Sequence, residues 1–288
     1  MRKKLFLFIS IFFILSPQPV LQAKKVRKLY LPVLMYHQIS EKNSRLGEYV
    51  ITPTEFENDL KLLKSKGYTS VTVSDLINYA KKGKKMPDKP VMITFDDGFQ
   101  SDYIYAYPIL KEHDMKACFS IVGEFTDRYS QEGIDMNVDY AYVSWDEVKE
   151  MRNSGVGEFL SHTYDMHNTR KRSGALKKKS ESEEEYKKIL FEDIEKINAA
   201  FKEHLGAKPD AFTCPFGCFD DSLKGYLKDS GYSAILISHQ ILNKFNGEPD
   251  ELYRVGRIVR PHGMNLNTRI AKWEAEIESC IKSGQIKG

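Results

Sequence analysis

Two adjacent carboxylates, Asp96 and Asp97, follow directly on a run of apolar and β-branched residues from Val91 to Phe95. Such a run is typical of a buried strand in a parallel sheet, and α/β proteins place their active sites at the carboxyl ends of those strands. Gly98 comes next and indicates a tight turn that lets a ligand approach the backbone. Because Asp-Asp-Gly is also ordinary turn chemistry, the two acids alone leave a functional and a structural interpretation open.

Two histidines extend this pattern. His162 follows the predicted strand Val156 to Ser161, and His167 lies five residues further along the chain. That interval separates side chains by about 140° on a helix and sends them to opposite faces of a strand, so the rings converge only where the chain turns. Two imidazoles and one carboxylate form a metal site with open positions for water, and a second carboxylate can accept a proton from that water. We therefore predict a divalent metal centre at these strand ends.

Other residues that could do chemistry also fall directly after predicted strands. They are His37 after Leu31 to Tyr36, Pro215 at the end of Ala211 to Cys214, and His239 near the end of Tyr232 to Ile237. In a (β/α) barrel such strand ends gather on one face, which is the face that does chemistry. His113 and His204 lie near predicted helix ends, and we favour a structural or surface role for both.

The elements that must position these residues alternate between strand-like and helix-like patterns about seven times along the chain. One helix is predicted from Thr54 to Lys66 with Thr54 as its cap, and another begins after Ser74. Alternation of this kind favours a parallel sheet, open or closed. We expect an α/β fold, a distorted seven-stranded (β/α)7 barrel, that forms one catalytic domain over residues 31–288.

The amino terminus has the features of a secretion signal. Arg2, Lys3 and Lys4 precede an apolar run from Leu5 to Leu15, and Leu21-Gln22-Ala23 resembles a cleavage site. The apolar run is short for a spanning helix, but the large Leu21 keeps an uncleaved membrane anchor as an alternative. We assign residues 1–23 to a signal peptide and 24–30 to a linker, and we expect a secreted or cell-surface protein.

The amino-acid composition limits the classes of molecule that the protein could bind. A chain of 288 residues with 41% hydrophobic residues can bury a full core. Without the three basic residues of the predicted signal it carries 40 basic and 40 acidic residues, which argues against a nucleic-acid partner. Four cysteines are too few for a disulfide framework, although Cys214 and Cys218 bracket the Pro215 turn and could pair outside the cell. We expect a monomer and leave association with a membrane or cell wall open.

Together these motifs resemble those of the polysaccharide deacetylases of the NodB-homology type, carbohydrate esterase family 4. Thr94-Phe95-Asp96-Asp97-Gly98 is similar to the family's first motif, in which the first Asp is the catalytic base and the second binds the metal. His162-Thr163 with His167 resembles the second motif, His-Ser/Thr-x-x-His, with one extra residue. That longer form, and Leu34-Met35-Tyr36-His37, resemble the branch that deacetylates poly-β-1,6-N-acetylglucosamine in biofilm matrices.

Two later motifs depart from the family's pattern. Thr213-Cys214-Pro215-Phe216 stands where the family has Arg-x-Pro-Tyr/Phe, so the Arg that orients the base in relatives is missing at this position. The family's Leu-x-His motif, which carries the general acid, has only loose matches at Ile237-Ser238-His239 and Pro261-His262. The biofilm branch uses a His near the amino terminus instead, which favours His37 and leaves His239 and His262 as alternatives.

The resemblance implies both a site and a reaction. The implied roles are Asp96 as base and His37 as acid, Asp97, His162 and His167 as ligands of one divalent metal, and Phe216, Pro215 and Tyr36 as oxyanion or substrate contacts. The metal is expected to be Zn²⁺, with Co²⁺, Ni²⁺ and Fe²⁺ as alternatives. The reaction is hydrolysis of N-acetyl groups from N-acetylglucosamine units of an extracellular polysaccharide, expected to be poly-β-1,6-N-acetylglucosamine. Peptidoglycan, chitin oligosaccharides and O-acetylated xylan are alternative substrates, and a non-catalytic carbohydrate-binding protein is the alternative of another class.

Overall fold

The computed structural model describes residues 28–168 and 172–282. The strands are β1 (Leu29–Leu31), β2 (Val33–Tyr36), β3 (Gln38–Ile39), β4 (Val50–Ile51), β5 (Thr69–Ser70), β6 (Pro90–Asp97), β7 (Ala117–Ile121), β8 (Gly157–Ser161), β9 (His167–Asn168), β10 (Arg172–Ser173), β11 (Ala211–Thr213), β12 (Ala234–Ile237), β13 (Asn243–Phe245), β14 (Val255–Gly256) and β15 (Ile258–Val259). The helices are α1 (Pro53–Ser65), α2 (Val73–Lys82), α3 (Tyr107–Glu112), α4 (Gly123–Tyr129), α5 (Trp145–Asn153), α6 (Glu183–Leu205), α7 (Asp221–Asp229) and α8 (Leu266–Lys282).

A parallel sheet forms the centre of the described part of the chain. Its strand order is β14, β12, β11, β8, β7, β6, β2 and β15. β14 and β15 belong to one segment, 255–259, which is interrupted at Arg257 and pairs with β12 on one side and with β2 on the other. Within the described ranges, seven chain segments therefore form the ring, which the last of them closes, and β5 pairs with β6 beside this path. The predicted (β/α) barrel is confirmed, and the interrupted segment is its main distortion.

Successive side chains of β6 alternate between two hydrophobic clusters, and this alternation sets the direction of Asp96. Met92 packs in one hydrophobic cluster, whereas Ile93 and Phe95 pack in another. Successive side chains of a strand point to opposite faces, so Asp96 lies on the face of Met92 and away from Phe95. Asp96 is therefore directed towards the barrel interior at the carboxyl end of β6, where the neighbouring strands also end.

Two helix caps differ from the prediction. The side chain of Thr52, not Thr54, caps α1, and the side chain of Thr72, not Ser74, caps α2. Each of these threonines has an acidic residue three positions later whose carboxylate binds the cap's own N–H, which completes a capping box. The reciprocal pair of hydrogen bonds decides where each helix begins.

Several predictions concern the chain ends and the cysteines. The predicted signal peptide, 1–23, and residues 24–27 of the predicted linker lie outside the described residues. Within the described ranges, no helix combines the length and hydropathy needed to cross a membrane. Cys214 is buried and Cys218 half-buried, and no disulfide joins them.

Candidate active site

The site forms at the carboxyl ends of β2, β6 and β8, around the two carboxylates of β6. Asp97 has a φ of +72°, and Gly98 one of +74°, so the backbone leaves the extended conformation at the second acid. A Cβ on Gly98 would lie 2.8 Å from Ile121 Cγ2, which explains why the turn requires glycine. This break in strand geometry frees Asp97 from the regular alternation and gives the two adjacent acids different neighbours.

Asp97 faces the two histidines that the sequence paired with it. Its Oδ1 lies 3.4 Å from His162 Nε2 and 3.2 Å from His167 Nε2. The three ligand atoms lie within 4.8 Å of one another. Asp97 Oδ1 is buried and makes no hydrogen bond to any described residue, which is costly unless a cation binds there. One carboxylate and two imidazoles that converge on one point fit a divalent metal ion.

The tautomer of His162 suits a metal ligand. His162 is buried, and its Nδ1 lies 2.9 Å from the backbone carbonyl oxygen of Thr213 at the end of β11. Because a carbonyl oxygen only accepts, Nδ1 carries the proton and Nε2 presents its lone pair to the space beside Asp97. In a metal-binding histidine, a hydrogen bond from the ring nitrogen that does not bind the metal commonly fixes the orientation of the ring.

His167 is held from the other side by Phe216. The two rings stack with centroids 4.4 Å apart and planes 26° from parallel. Phe216 has a φ of +55° in the turn Pro215–Gly217, and its side chain is 47% exposed. Pro215 is buried and begins this turn, so its position supports that of Phe216. The structure therefore brings Phe216 next to His167, one of the three residues that could hold a metal ion.

Asp96 has a partner that the sequence analysis missed. Arg257, from the break between β14 and β15, donates from Nη1 to Asp96 Oδ1 at 2.5 Å and from Nη2 to Oδ2 at 2.7 Å. Both side chains are almost fully buried. Burial raises the pKa of Asp96, but the Arg257 guanidinium, together with His162 and His37, outweighs that effect and holds the pKa well below its usual range. Asp96 is therefore an ionised, fixed carboxylate.

The resemblance implies an Arg that orients the base, and Arg257 contacts Asp96 although the third motif lacks that Arg. The signal of Arg257 in the sequence is a single charge inside the apolar run Val-Gly-Arg-Ile-Val, from Val255 to Val259. A charge is rarely buried without a partner, so such a residue in a strand predicts a buried acid nearby. The pattern does not say which acid, because Arg257 and Asp96 are 161 positions apart.

His37 also lies beside Asp96. Its Nε2 is 4.0 Å from Asp96 Oδ2, and its ring contacts that of Tyr49 with centroids 4.7 Å apart. Burial lowers the pKa of His37 from its usual value, whereas the carboxylates of Asp96 and Asp97 oppose this shift. The geometry thus places one imidazole beside the ionised acid but outside the metal-ligand group.

The structure does not bring Tyr36 to this group. Its ring stacks on Phe95 and contacts Phe56 edge-on, and its hydroxyl donates to Asp59 Oδ2 at 3.0 Å. Tyr36 precedes His37 on β2, so alternation sends its side chain into the core while that of His37 faces the site. The predicted substrate contact at Tyr36 therefore does not follow from this geometry.

The other histidines lie elsewhere. His262 Nδ1 is 2.8 Å from Glu55 Oε2, and the His262 side chain is 44% exposed. His239 is exposed in the loop after β12, and no described contact joins it to either acid of β6. His113 lies beside Glu57, and His204 stacks on Trp145 with ring centroids 4.6 Å apart, which fits structural or surface roles.

Comparison with protein families gives one match, to the model described as polysaccharide deacetylase, over residues 83–235. This range contains Asp96, Asp97, both ligand histidines and Phe216, whereas His37 and Arg257 lie outside it. Among curated proteins, the chain is 30% identical over 209 residues to the poly-beta-1,6-N-acetyl-D-glucosamine N-deacetylase of Staphylococcus aureus (strain MRSA252). The aligned part covers 72% of this chain and 67% of that protein.

Two solved structures share the fold over most of their length. IcaB from Ammonifex degensii superposes with a TM-score of 0.65 at 29% identity, covering 80% of this chain and 91% of that one. The de-N-acetylase from Aggregatibacter actinomycetemcomitans gives a TM-score of 0.68 at 27% identity, covering 81% and 95%. The fold described above is therefore similar to those of named deacetylases.

Proposed function

Because the chain belongs to the polysaccharide deacetylase family, we propose that it removes N-acetyl groups from N-acetylglucosamine units of an extracellular polysaccharide. We propose poly-β-1,6-N-acetylglucosamine as the substrate, which the name of the Staphylococcus aureus relative supports. The observation that carries the proposal is the convergence of Asp97, His162 and His167 beside an Asp96 held by Arg257. We assign residues 31–288 to one catalytic domain.

The metal centre is proposed to contain one divalent ion held by Asp97, His162 and His167. The donor set suits Zn²⁺, and Co²⁺, Ni²⁺ or Fe²⁺ would accept the same two imidazoles and carboxylate. When bound, such an ion supplies Lewis-acid chemistry that activates water and polarises the acetamide carbonyl. The unpartnered Asp97 Oδ1 supports this assignment, because a cation would satisfy a buried acceptor that no described residue satisfies.

Asp96 is proposed as the base that accepts the proton of the attacking water. Arg257 keeps the carboxylate ionised and fixes both of its oxygens in one orientation. The low pKa of Asp96 also means that the carboxyl holds an accepted proton weakly. The proton can therefore pass on readily within the site, towards groups of higher pKa.

His37 is proposed as the acid that protonates the leaving amine, which is a poor leaving group without a proton. Its Nε2 lies 4.0 Å from Asp96 Oδ2, so base and acid sit side by side at the reacting centre. The backbone N–H of Phe216 is proposed to donate to the oxyanion that develops from the acetamide carbonyl. The stacking of Phe216 on His167 supports this role, because it keeps the turn next to the ligand group.

We further propose that the protein is secreted or held at the cell surface, since its substrate lies outside the cell. Residues 1–23 have the pattern of a signal peptide, and an uncleaved anchor is the alternative. The balanced charge of the remaining chain supports a neutral or weakly charged polymer as partner and gives no support to nucleic acid. We propose that the protein acts as a monomer.

Acetate release tests the proposed reaction. Metal-stripped and Zn²⁺-reloaded protein are compared on poly-β-1,6-N-acetylglucosamine, peptidoglycan, chitin oligosaccharides and O-acetylated xylan, with Asp97→Ala as the metal-site control. We expect release from the first polymer to be fastest and to require reloading. Faster release from another polymer would reassign the substrate. Binding of polymers without release from any of them would favour the carbohydrate-binding alternative.

A further inference from the structure

The turn between the two ligand histidines is the feature that makes the metal centre possible. His162 follows β8 and His167 begins β9, and four residues, 163–166, lie between them. An extended or helical chain of this length would separate the two rings. Instead, both Nε2 atoms lie within 3.4 Å of Asp97 Oδ1. Thr163 has a φ of +73°, a conformation that threonine adopts only when surrounding contacts impose it.

The carbonyl groups of this turn are held by the start of α4. The N–H of Gly123 donates to Thr163 O at 3.1 Å, and the N–H of Glu124 donates to Tyr164 O at 2.9 Å. A Cβ on Gly123 would lie 2.6 Å from Tyr164 Cδ2, so the close approach of helix and turn depends on glycine. The carbonyl groups of Thr163 and Tyr164 are thereby fixed.

Two consecutive N–H groups of the turn, those of Tyr164 and Asp165, are held by a single side chain, Asp193 of α6. Its Oδ1 accepts from the N–H of Tyr164 at 2.8 Å, and its Oδ2 accepts from the N–H of Asp165 at 2.7 Å. The Asp193 side chain is buried, with 8% of the residue exposed. Because both oxygens of one buried carboxyl group accept from consecutive N–H groups, the two bonds together fix the orientation of the turn.

We propose that Asp193 is a positioning residue for the metal centre, because it fixes the turn that brings His167 to His162 and Asp97. This inference rests on the metal site of the proposed function. Asp193 touches neither a ligand atom nor the reacting groups, and it acts through the backbone between the histidines. It also explains how the longer His motif, with its extra residue, still closes on one ion.

The substitution Asp193→Asn tests this role with little change in volume. The amide of asparagine has one acceptor oxygen, and its NH₂ group would face the second backbone N–H. One of the two hydrogen bonds is lost, and a donor is set against a donor. Partners of this outer kind typically change metal affinity by about 10- to 100-fold when they are removed. We therefore expect Zn²⁺ and Co²⁺ affinity to fall by at least about 10-fold.

Asp127→Asn is the matched control. Asp127 also accepts two hydrogen bonds at this place, from Trp145 Nε1 and from the Tyr164 hydroxyl, both at 2.7 Å. Asp127 therefore holds the side chain of Tyr164 in the same turn but none of the turn's backbone groups. Both variants should lose stability, but only Asp193→Asn should lose metal affinity and change the Co²⁺ absorption spectrum.

Metal dissociation constants come from competition with a chelator, measured on protein whose folding is checked by circular dichroism. Wild-type affinity and an unchanged Co²⁺ spectrum in Asp193→Asn would overturn the inference while the metal site stands. An equal loss in Asp127→Asn would also overturn it, since general loosening would then explain both. If wild-type protein binds no metal, the proposed function and this inference fail together. If Asp193→Asn does not fold, Asp193→Ser replaces it; its side chain is smaller, and the same loss of metal affinity is expected. Wild-type metal affinity in Asp193→Ser would contradict the inference equally.

Discussion

At the scale of single residues, the two neighbouring acids of β6 have opposite surroundings. The negative charge of Asp96 is balanced by the Arg257 guanidinium, which donates to both of its oxygens. Asp97 Oδ1 instead lies beside two imidazole nitrogens and accepts no hydrogen bond within the described ranges. The environment of each carboxyl group, rather than its type, decides what it can do. The pair thus divides into a fixed carboxylate suited to proton transfer and an open one suited to a cation.

Arg257→Gln should expose the effect of the guanidinium on Asp96. Arg257 lowers the pKa of Asp96, so its removal lets that pKa rise, and the acidic limb of kcat/KM should move to higher pH. Breaking a buried pair from one side should also cost about 3–5 kcal/mol of stability. The measurement is a pH profile of acetate release beside urea unfolding.

Arg260→Gln is the matched control for this prediction. Arg260 and Asp59 form a second buried pair, with Nε 2.7 Å from Oδ2, away from the two acids of β6. This variant should lose stability but keep the wild-type acidic limb. An acidic limb that stays in place in Arg257→Gln would show that Arg257 does not set the pKa of the catalytic base.

His37→Ala should separate amide from ester hydrolysis. An amine leaves only when it is protonated, so loss of the general acid should lower deacetylation of the natural amide by about 10²- to 10⁴-fold. An activated aryl acetate, whose leaving group needs no proton, should be affected much less. Rates on both substrates are compared with those of His239→Ala and His262→Ala. A selective amide defect in either of those variants, with none in His37→Ala, would reassign the acid.

At the scale of elements, the segment that follows the site is not a regular α-helix. The sequence predicts a single helix from Ser101 to His113, but the chain forms a π-helical turn, Asp102–Ala106, before α3. Pro108 lies at the start of α3, and a proline removes one N–H and clashes with the carbonyl four residues before it. Wide turns of this kind are often found beside functional sites.

Asp102, the first residue of that π-helical turn, is a buried acid that weakens the fold. Both of its oxygens are buried without a hydrogen-bond partner in the described ranges. Burial raises the pKa of Asp102 well above its usual value, and Asp97 and Asp96 raise it further. The folded state therefore prefers the neutral acid, and the free energy of unfolding falls by about 1.4 kcal/mol per pH unit as the pH rises from the unfolded pKa towards the folded pKa.

Asp102→Asn should therefore stabilise the protein at pH 7 more than at pH 4, because the amide is neutral at both. Thermal unfolding at the two pH values is the measurement. Asp220→Asn is the control: Asp220 caps α7 by accepting from the N–H of Leu223, a role that asparagine performs equally well. A loss of stability at pH 7 in Asp102→Asn would mean that the ionised carboxylate is stabilised by something other than the described residues.

Local sequence patterns predicted the helices and strands better than they predicted which distant residues contact each other. The period of apolar residues gave the core strands and helices, because burial acts on each element directly. The caps of α1 and α2 were misplaced by two residues, since two hydroxyl residues compete at each helix start and only reciprocal hydrogen bonds decide between them. The short pair β1 and β13 and helix α4 were not predicted. Their stability comes from packing against distant segments, which local periodicity does not contain.

At the scale of the whole molecule, barrel closure assembles the site. The segment 255–259 pairs Ile258 with Leu34 and Val259 with Met35, so this late segment lies against β2. This brings Arg257 and His37, which are 220 positions apart in the sequence (257 minus 37), next to Asp96. The strand ends and their acids and histidines were predictable from the alternation of elements. Arg257 was not, because its partner is set by the topology of the closed sheet.

The central claim is that Asp97 holds a metal ion and Asp96 accepts the proton. It is tested most directly by measuring metal content and acetate release on the same preparations of Asp96→Asn and Asp97→Asn. The account predicts that Asp96→Asn keeps about one ion per chain while its rate falls by about 10²- to 10⁴-fold, the range of general base catalysis. Asp97→Asn should lose the ion and, with it, the activity. A metal-loaded Asp96→Asn that releases acetate near the wild-type rate, or an Asp97→Asn that keeps its metal, would contradict the account.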